Sequence, residues 1–121
     1  PVLSIRVENF TDLAVVECQG RITHSDAVFK LRDAVQSQDD SRVIALDLSE
    51  VEAIGGGGLG MLVFLEHWAR ENGIRLKLFS PTERVMEALA PYQSMAHFEI
   101  ANIQEMIGLL SQYDYPQGFA A

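Results

Sequence analysis

The sequence predicts an α/β domain: a mainly parallel central sheet of four to five strands, opened by an antiparallel hairpin, with about four helices on one side. Three observations predict it. Strand-type and helix-type patterns alternate along the 121 residues in the order ββαβαβα(β)α. The stretch Val43-Ile44-Ala45-Leu46-Asp47-Leu48 is almost continuously apolar, as a strand covered on both faces must be. The first two strands are joined by Asn9-Phe10-Thr11-Asp12, which supplies the turn chemistry of a hairpin.

Element by element, Leu3-Ser4-Ile5-Arg6-Val7-Glu8 alternates apolar and polar as a half-buried strand does. A second strand runs from Leu13 to about Gln19, and Gly20 is expected to break it. Thr23 or Ser25 offers a cap for the next helix, whose Val28, Leu31 and Val35 form one inward stripe; polar Gln36–Ser41 ends it. After the central strand comes a glycine run, then a helix from about Gly58 to Asn72, closed by Gly73. Arg75–Phe79 reads as a strand. Ser80-Pro81-Thr82-Glu83 opens a helix with proline in its first turn, carrying Val85, Met86 and Leu89 and stopping at Pro91. His97–Ile100 is a short strand candidate, and Ile103, Met106, Ile107 and Leu110 give a last helix. Residues 1–113 thus form a single domain and 114–121 a C-terminal tail.

Composition sets limits on function. The chain is 48% hydrophobic and 21% charged, as a soluble globular domain is, with a formal net charge of −8. That charge argues against nucleic acid or an anionic membrane surface as partner. The longest apolar run, Met61–Leu65, is far below the roughly 20 residues that span a bilayer, and no signal peptide opens the chain. Cys18 is the single cysteine and lies in an apolar run, so it reads as a buried, inert thiol. A cytoplasmic location is expected.

Residues 54–60, Ile-Gly-Gly-Gly-Gly-Leu-Gly, are the most informative segment. Glycines at a strand-to-helix turn suggest a phosphate loop, but no Gly-Lys-Ser/Thr ending follows, and no Lys or Arg occurs from Asp47 through Trp68. A tight turn accounts for Gly58 and Gly60. It does not account for Gly55–Gly57, each costing roughly 0.5–1 kcal/mol of backbone entropy relative to alanine.

Three segments carry a resemblance. Gln19-Gly20-Arg21-Ile22-Thr23 resembles a Gly-x-Leu-Asp turn; Leu46-Asp47-Leu48-Ser49-x-Val51-x-x-Ile54 resembles a central strand and its approach; Gly58-Leu59-Gly60 resembles the segment after a phosphoacceptor. Together they are similar to the STAS domain, the fold of anti-sigma factor antagonists and of the cytoplasmic tails of sulfate transporters. The resemblance covers nearly the whole chain in element order and implies a STAS-like sheet. In that family the turn reads Asp-Ser-Ser-Gly-Leu-Gly, and a partner kinase that is also the anti-sigma factor phosphorylates the second serine. Here the acidic residue falls on Gly55, the first serine on Gly56, the phosphorylated serine on Gly57, and the acidic residue of the earlier turn on Thr23. A phosphate of charge about −2 at a helix N-terminus would expel a docked partner. Without a hydroxyl at Gly57 this switch is lost, while exchanging a serine cap for glycine costs the fold only a few tenths of a kcal/mol.

The resemblance implies a non-enzymatic, protein-binding regulator. Its partner is an anti-sigma factor/serine kinase or another STAS protein, with a homodimer left open. The expected contact residues are Thr23 and His24 in the flanking loop, Gly55, Gly56, Gly57, Gly58 and Leu59 in the turn, and Met61, Phe64 and Trp68 on the helix. The helix is apolar on two sides. Leu59, Leu62, Val63 and Ala69 make one stripe; Met61, Phe64, Leu65 and Trp68 make the other, which either meets a partner or is covered by neighbouring helices. Two other readings stand beside this one: an anion or small-molecule sensor using the bare amides of Gly56–Gly58 as a nest, or a STAS subunit of a membrane transporter. No catalytic residue, cofactor or metal site is expected. His24, His67 and His97 lack ligand spacing, Asp47 reads as a turn former beside Ser49, Thr23 and Ser25 are weak substitute phosphoacceptors, and Glu50, Glu52 and Glu66 read as solvated charges.

Overall fold

The computed structural model describes residues 2–114. The elements are β1 (Ser4–Phe10), β2 (Leu13–Ile22), α1 (Ser25–Gln36), β3 (Val43–Ile54), α2 (Gly56–Glu71), β4 (Arg75–Phe79), α3 (Glu83–Leu89), a 3-10 turn (Ala90–Tyr92), α4 (Gln93–Ala96), β5 (Glu99–Ala101) and α5 (Ile103–Asp114). The strands lie side by side in chain order, β1 antiparallel to β2 and the rest parallel. This is the predicted α/β, STAS-like sheet with its opening hairpin.

Parallel neighbours joined in chain order require crossovers, and crossovers of one hand put every connecting helix on one face. Accordingly Val28, Leu31 and Val35 of α1, Leu59, Leu62, Leu65 and Ala69 of α2, Val85 and Leu89 of α3 and Ala96 of α4 share one core with Val16, Cys18, Ile44, Leu46 and Leu48. The expectation of helices on one side is corrected for α5. Among the described residues no strand of the sheet follows that helix, so no crossover rule binds it. Its Met106 packs with Leu13, Val15, Val43 and Ala45, the alternate residues of the same strands, on the opposite face.

Several boundaries differ from expectation: β5 is Glu99–Ala101 rather than His97–Ile100, α3 ends at Leu89 rather than Pro91 and is followed by α4, and four more differ for a local reason. Gly20 does not break β2; it sits inside the strand with φ +118°, and a Cβ there would lie 2.5 Å from the Val2 carbonyl oxygen. Beyond the predicted Leu48, β3 continues through two bulges: Glu17 and Gln19 pair with Asp47 and Glu50, then Gly20 and Arg21 with Val51 and Ala53. Each extra residue re-phases the strand, so that Leu48, Val51 and Ile54, three apart, all turn toward the helices. Next, α2 starts at Gly56 rather than near Gly58. Finally, α3 starts after Thr82, whose hydroxyl accepts from Val85 N and donates to the Val51 carbonyl, each at 3.3 Å; Pro81 precedes that cap.

Two ends are closed by recognisable chemistry. Ile74 N–H reaches Ala69 O at 2.8 Å and Gly73 N–H reaches Arg70 O at 3.2 Å, the paired bonds of a Schellman motif, as the role given to Gly73 predicts. Asn102 and Glu105 exchange side-chain-to-backbone bonds of 2.9 and 3.1 Å at the start of α5, a capping box. The expected tail begins at Asp114, which is instead the last residue of α5; residues 115–121 lie outside the described residues.

Candidate functional site

The glycine turn lies at the carboxyl ends of β2 and β3, where open α/β sheets place their binding surfaces. Gly55 is the N-cap of α2, and its N–H donates to the Ile22 carbonyl at 2.9 Å; Leu59 N–H closes the first helical bond to Gly55 O at 3.0 Å. This draws the end of β2 against the start of α2. A Cβ on Gly55 would stand 3.7 Å from Thr23 Cα, which puts Thr23 beside the turn.

The four glycines do different things. At Gly58 a Cβ would lie 2.8 Å from Ile22 Cγ2, 2.8 Å from Ile54 Cγ1 and 2.9 Å from the Ile22 carbonyl oxygen, closer than real Cβ atoms come. Glycine there is a packing requirement: it seats α2 on the sheet. At Gly57 a Cβ would make ordinary contact with Val28 Cγ2 at 3.6 Å, and at Gly56 it would meet nothing within 4 Å. Both are exposed, and neither has a positive φ. Gly60 is also exposed with open space and lies inside α2 without a positive φ, so the tight turn expected to account for it is absent.

Of the remaining predicted contact residues, Leu59 is 8% exposed and faces the core with Gly58. Met61 and Trp68 are half-buried against that core, whereas Phe64 is 49% exposed and turned outward; Leu65 is fully buried. The second apolar stripe is therefore divided between core and surface. Trp68 stands roughly 17 Å along the helix axis from Gly57, at 1.5 Å per residue; at that level, on another side of the helix, α2 meets α4. There Arg70 grips Glu66 at 2.6 Å and reaches the Ala96 carbonyl at 3.2 Å, while His67 Nε2 lies 3.0 Å from the Met95 carbonyl. Glu66, expected to be solvated, has a side chain only 13% exposed under this pair.

The chemistry of the turn is that of an uncapped helix start. No side chain caps Gly55, and the first turn of α2 holds no acidic residue. No residue of the turn has a positive φ, so the concave amide nest of the anion-sensor reading is not formed. The spacing Gly55-x-Gly57-x-x-Gly60 also fits a dinucleotide fingerprint. However, Gly57–Gly60 lie within the helix, and the next strand ends on Phe79-Ser80 with no carboxylate to hold a ribose. Helix α1 has His24 at its N-cap with no side-chain bond, so neither Thr23 nor Ser25 caps it; both are exposed.

Elsewhere, Asp47 lies inside β3 rather than at its end, and its Oδ1 accepts from Ser49 N at 2.9 Å and Ser49 Oγ at 2.7 Å, a local turn former at the first bulge. Cys18 is buried, and burial first, then the nearby Asp47, pushes its thiol up to about 12. Among the described residues, no group of three or more His, Cys, Asp or Glu is placed to hold a metal, and no helix is long and apolar enough to cross a membrane. Sequence reasoning missed Arg21 and Lys30, which line a cleft with Thr23 and His24. The signal was the position of Arg21, two residues before Thr23 on the strand that delivers the loop.

Comparison with known proteins adds the family. No curated protein matches the sequence. Solved structures do: the anti-sigma factor antagonist SpoIIAA in its unphosphorylated form superposes with a TM-score of 0.71 at 16% identity, over 90% of this chain and 97% of that one. An anti-sigma factor antagonist from Mycobacterium paratuberculosis gives 0.66 at 22% identity, over 90% and 94%. The murine Solute Carrier 26 family member A9 anion transporter in the inward-facing state gives 0.64 at 12% identity, over 87% of this chain and 18% of that one. At these identities the likeness is one of fold. The family model described as "Mlab, STAS domain" matches residues 7–101, and on that match the chain belongs to the STAS family.

Proposed function

We propose that this chain is a non-enzymatic regulatory STAS domain that docks a protein partner on the glycine turn and the outer face of α2, and that it does so without a phosphorylation switch at position 57. The contact surface is Thr23, His24, Gly55, Gly56 and Gly57, continued by Phe64 and the exposed edges of Met61 and Trp68. Gly58 and Leu59 support that surface from beneath. One observation carries the reading: Gly56 and Gly57 are exposed, uncrowded and free of backbone strain, so the fold does not require them to be glycine. Bare backbone at an exposed helix start lets another chain approach closely, and no hydroxyl is present there to receive a phosphate. The resemblance to anti-sigma factor antagonists supports a partner of the anti-sigma factor/serine kinase kind, a role in transcription regulation and a cytoplasmic location.

A second reading, docking on a subunit of a membrane transporter through the same surface, is favoured by the likeness to the STAS portion of an anion transporter. Affinity capture with the native chain and with Gly57→Asp tests both. The acidic side chain is expected to cut partner yield at least about tenfold, or 1.4 kcal/mol, and the identity of the captured protein separates regulator from transporter. Equal yield would remove the turn from the interface.

A further inference from the structure

Next to the glycine turn lies a cleft of about 370 Å³ whose charge runs against the rest of the molecule. The chain carries 17 carboxylates against nine Lys and Arg, so a cation finds a partner easily. Arg6, Arg32, Arg70, Arg75 and Lys77 all pair with carboxylates. Arg21, Lys30, Arg42 and Arg84 make no such pair among the described residues, and of these four Arg21 and Lys30 share this cleft, with His24 beside them and Asp26 as its one carboxylate. Lys30 is held in place: its Nζ donates to the Leu3 carbonyl at 2.7 Å, leaving two further donors. The cleft is also apolar, lined by Ala27 and by Val2, which is 83% exposed.

We propose that this cleft receives an acidic peptide segment of the docked protein, with a carboxylate between Arg21 and Lys30 and an aliphatic side chain against Val2 and Ala27. The proposal rests on the docking reading above and names the partner's chemistry. Thr23 lines the cleft and stands beside Gly55, so one partner spans both surfaces. A free phosphate would use the cations and leave the apolar lining bare; an aliphatic residue flanked by Asp or Glu uses both. The net charge of −8 repels an acidic partner at a distance, yet screening confines that repulsion to about 8 Å at physiological salt. At contact the charges nearest the peptide are Arg21 and Lys30, against the single carboxylate of Asp26.

Selection of a random displayed peptide library on the immobilised full chain tests this. The expected consensus places Asp or Glu beside Leu, Ile or Val. A synthetic peptide of that sequence should shift the amide resonances between Arg21 and Lys30. It should weaken at least about tenfold in the double variant Arg21→Gln, Lys30→Gln and when its carboxylates are replaced by amides. Arg21→Gln alone, which removes no hydrogen bond within the fold, covers any disturbance at Leu3. The proposal is overturned if no acidic consensus emerges, if the peptide binds the variants unchanged, or if inorganic phosphate displaces it at comparable concentration. Capture of the whole partner by Gly57→Asp separates the two readings. Loss there with no effect of Arg21 and Lys30 leaves docking at the turn without the cleft; the converse leaves the cleft without the turn.

Discussion

The two faces of the sheet are finished to different standards. Toward α1–α4, the β3 residues Ile44, Leu46, Leu48 and Val51 are wholly buried and meet Leu31, Val35, Leu62 and Leu65. Toward α5, the buried cluster is smaller, Leu13, Val15, Val43, Ala45 and Met106, and the same layer of β1–β3 continues into Arg6, Glu8, Glu17, Gln19 and Asp47. The candidate docking turn grows from the rim of the finished face, where Gly58 is gripped between Ile22 and Ile54. A turn held that way can present bare backbone in a fixed geometry. The half-covered face has no such grip, and Ile103 and Ile107 of α5 remain 64% and 57% exposed.

The largest expected effects test this contrast directly. Leu62→Ala removes a side chain with no exposed surface and should cost about 3–5 kcal/mol, whereas Met106→Ala on the lightly packed face should cost about 2. Denaturant midpoints at equal slope measure both, and equal losses would erase the contrast. Gly58→Ala should cost about 1–3 kcal/mol, because one of the three close atoms is the Ile22 carbonyl oxygen, part of a strand that has little room to shift. If that variant is as stable as the native chain, Gly58 does not seat α2.

Cys18 extends the comparison to pH. Its thiol lies on the finished face, and burial raises it from an ordinary 9.0 to about 12. The protonated thiol is kept in the fold, so its contribution is complete below pH 9 and declines as pH rises from about 9 to about 12. The slope should approach 1.4 kcal/mol per pH unit. Cys18→Ala should flatten that limb, and the native chain at pH 8 should resist alkylation until it unfolds. Ready alkylation of folded protein would show that this part of the core opens.

Gly56→Ala and Gly57→Ala should change stability in the opposite sense to Gly58→Ala. Each position has an ordinary backbone and space, so alanine should stabilise by about 0.4–1 kcal/mol through the unfolded chain's lost entropy. A loss at either position would mean that the fold, not a partner, requires those glycines.

These glycines also mark where the sequence was legible. The order of elements along the chain, the helix-facing core and Gly73 follow from periodicity and turn chemistry acting locally. The course of β3 past Leu48 was hidden because Leu48, Val51 and Ile54 are three apart. That spacing fits a strand only when bulges, fixed by pairing with a distant β2, absorb the extra residues. The face taken by α5 was hidden for a similar reason: its apolar stripe reads the same on either side of the sheet. At the site, residue types showed at once that the turn carries no hydroxyl. Only the distances to Ile22 and Ile54 separate Gly58 from its neighbours, and only tertiary structure sets Arg21 beside Lys30.

The smallest effect belongs to the less finished face. Glu99 of β5 stands opposite Lys77 of β4 and takes hydrogen bonds from Arg75 at 2.8 Å and Lys77 at 3.1 Å. Partial burial pushes its carboxyl up, but those two cations more than offset that and leave it below the ordinary 4.5. A lowered carboxylate stabilises the fold above pH 4.5, and that contribution is lost as pH falls through its folded value. With Arg75 and Glu99 side chains 63% and 44% exposed, solvent screens the pair, so Glu99→Gln should cost well under about 1 kcal/mol at neutral pH and nothing in acid. Raising salt to about 1 M, where the screening length falls to about 3 Å, should shrink even that. A loss above about 1 kcal/mol that survives high salt would place a firm structural clasp on the β4–β5 edge, and the open face would then owe its order to that edge rather than to α5.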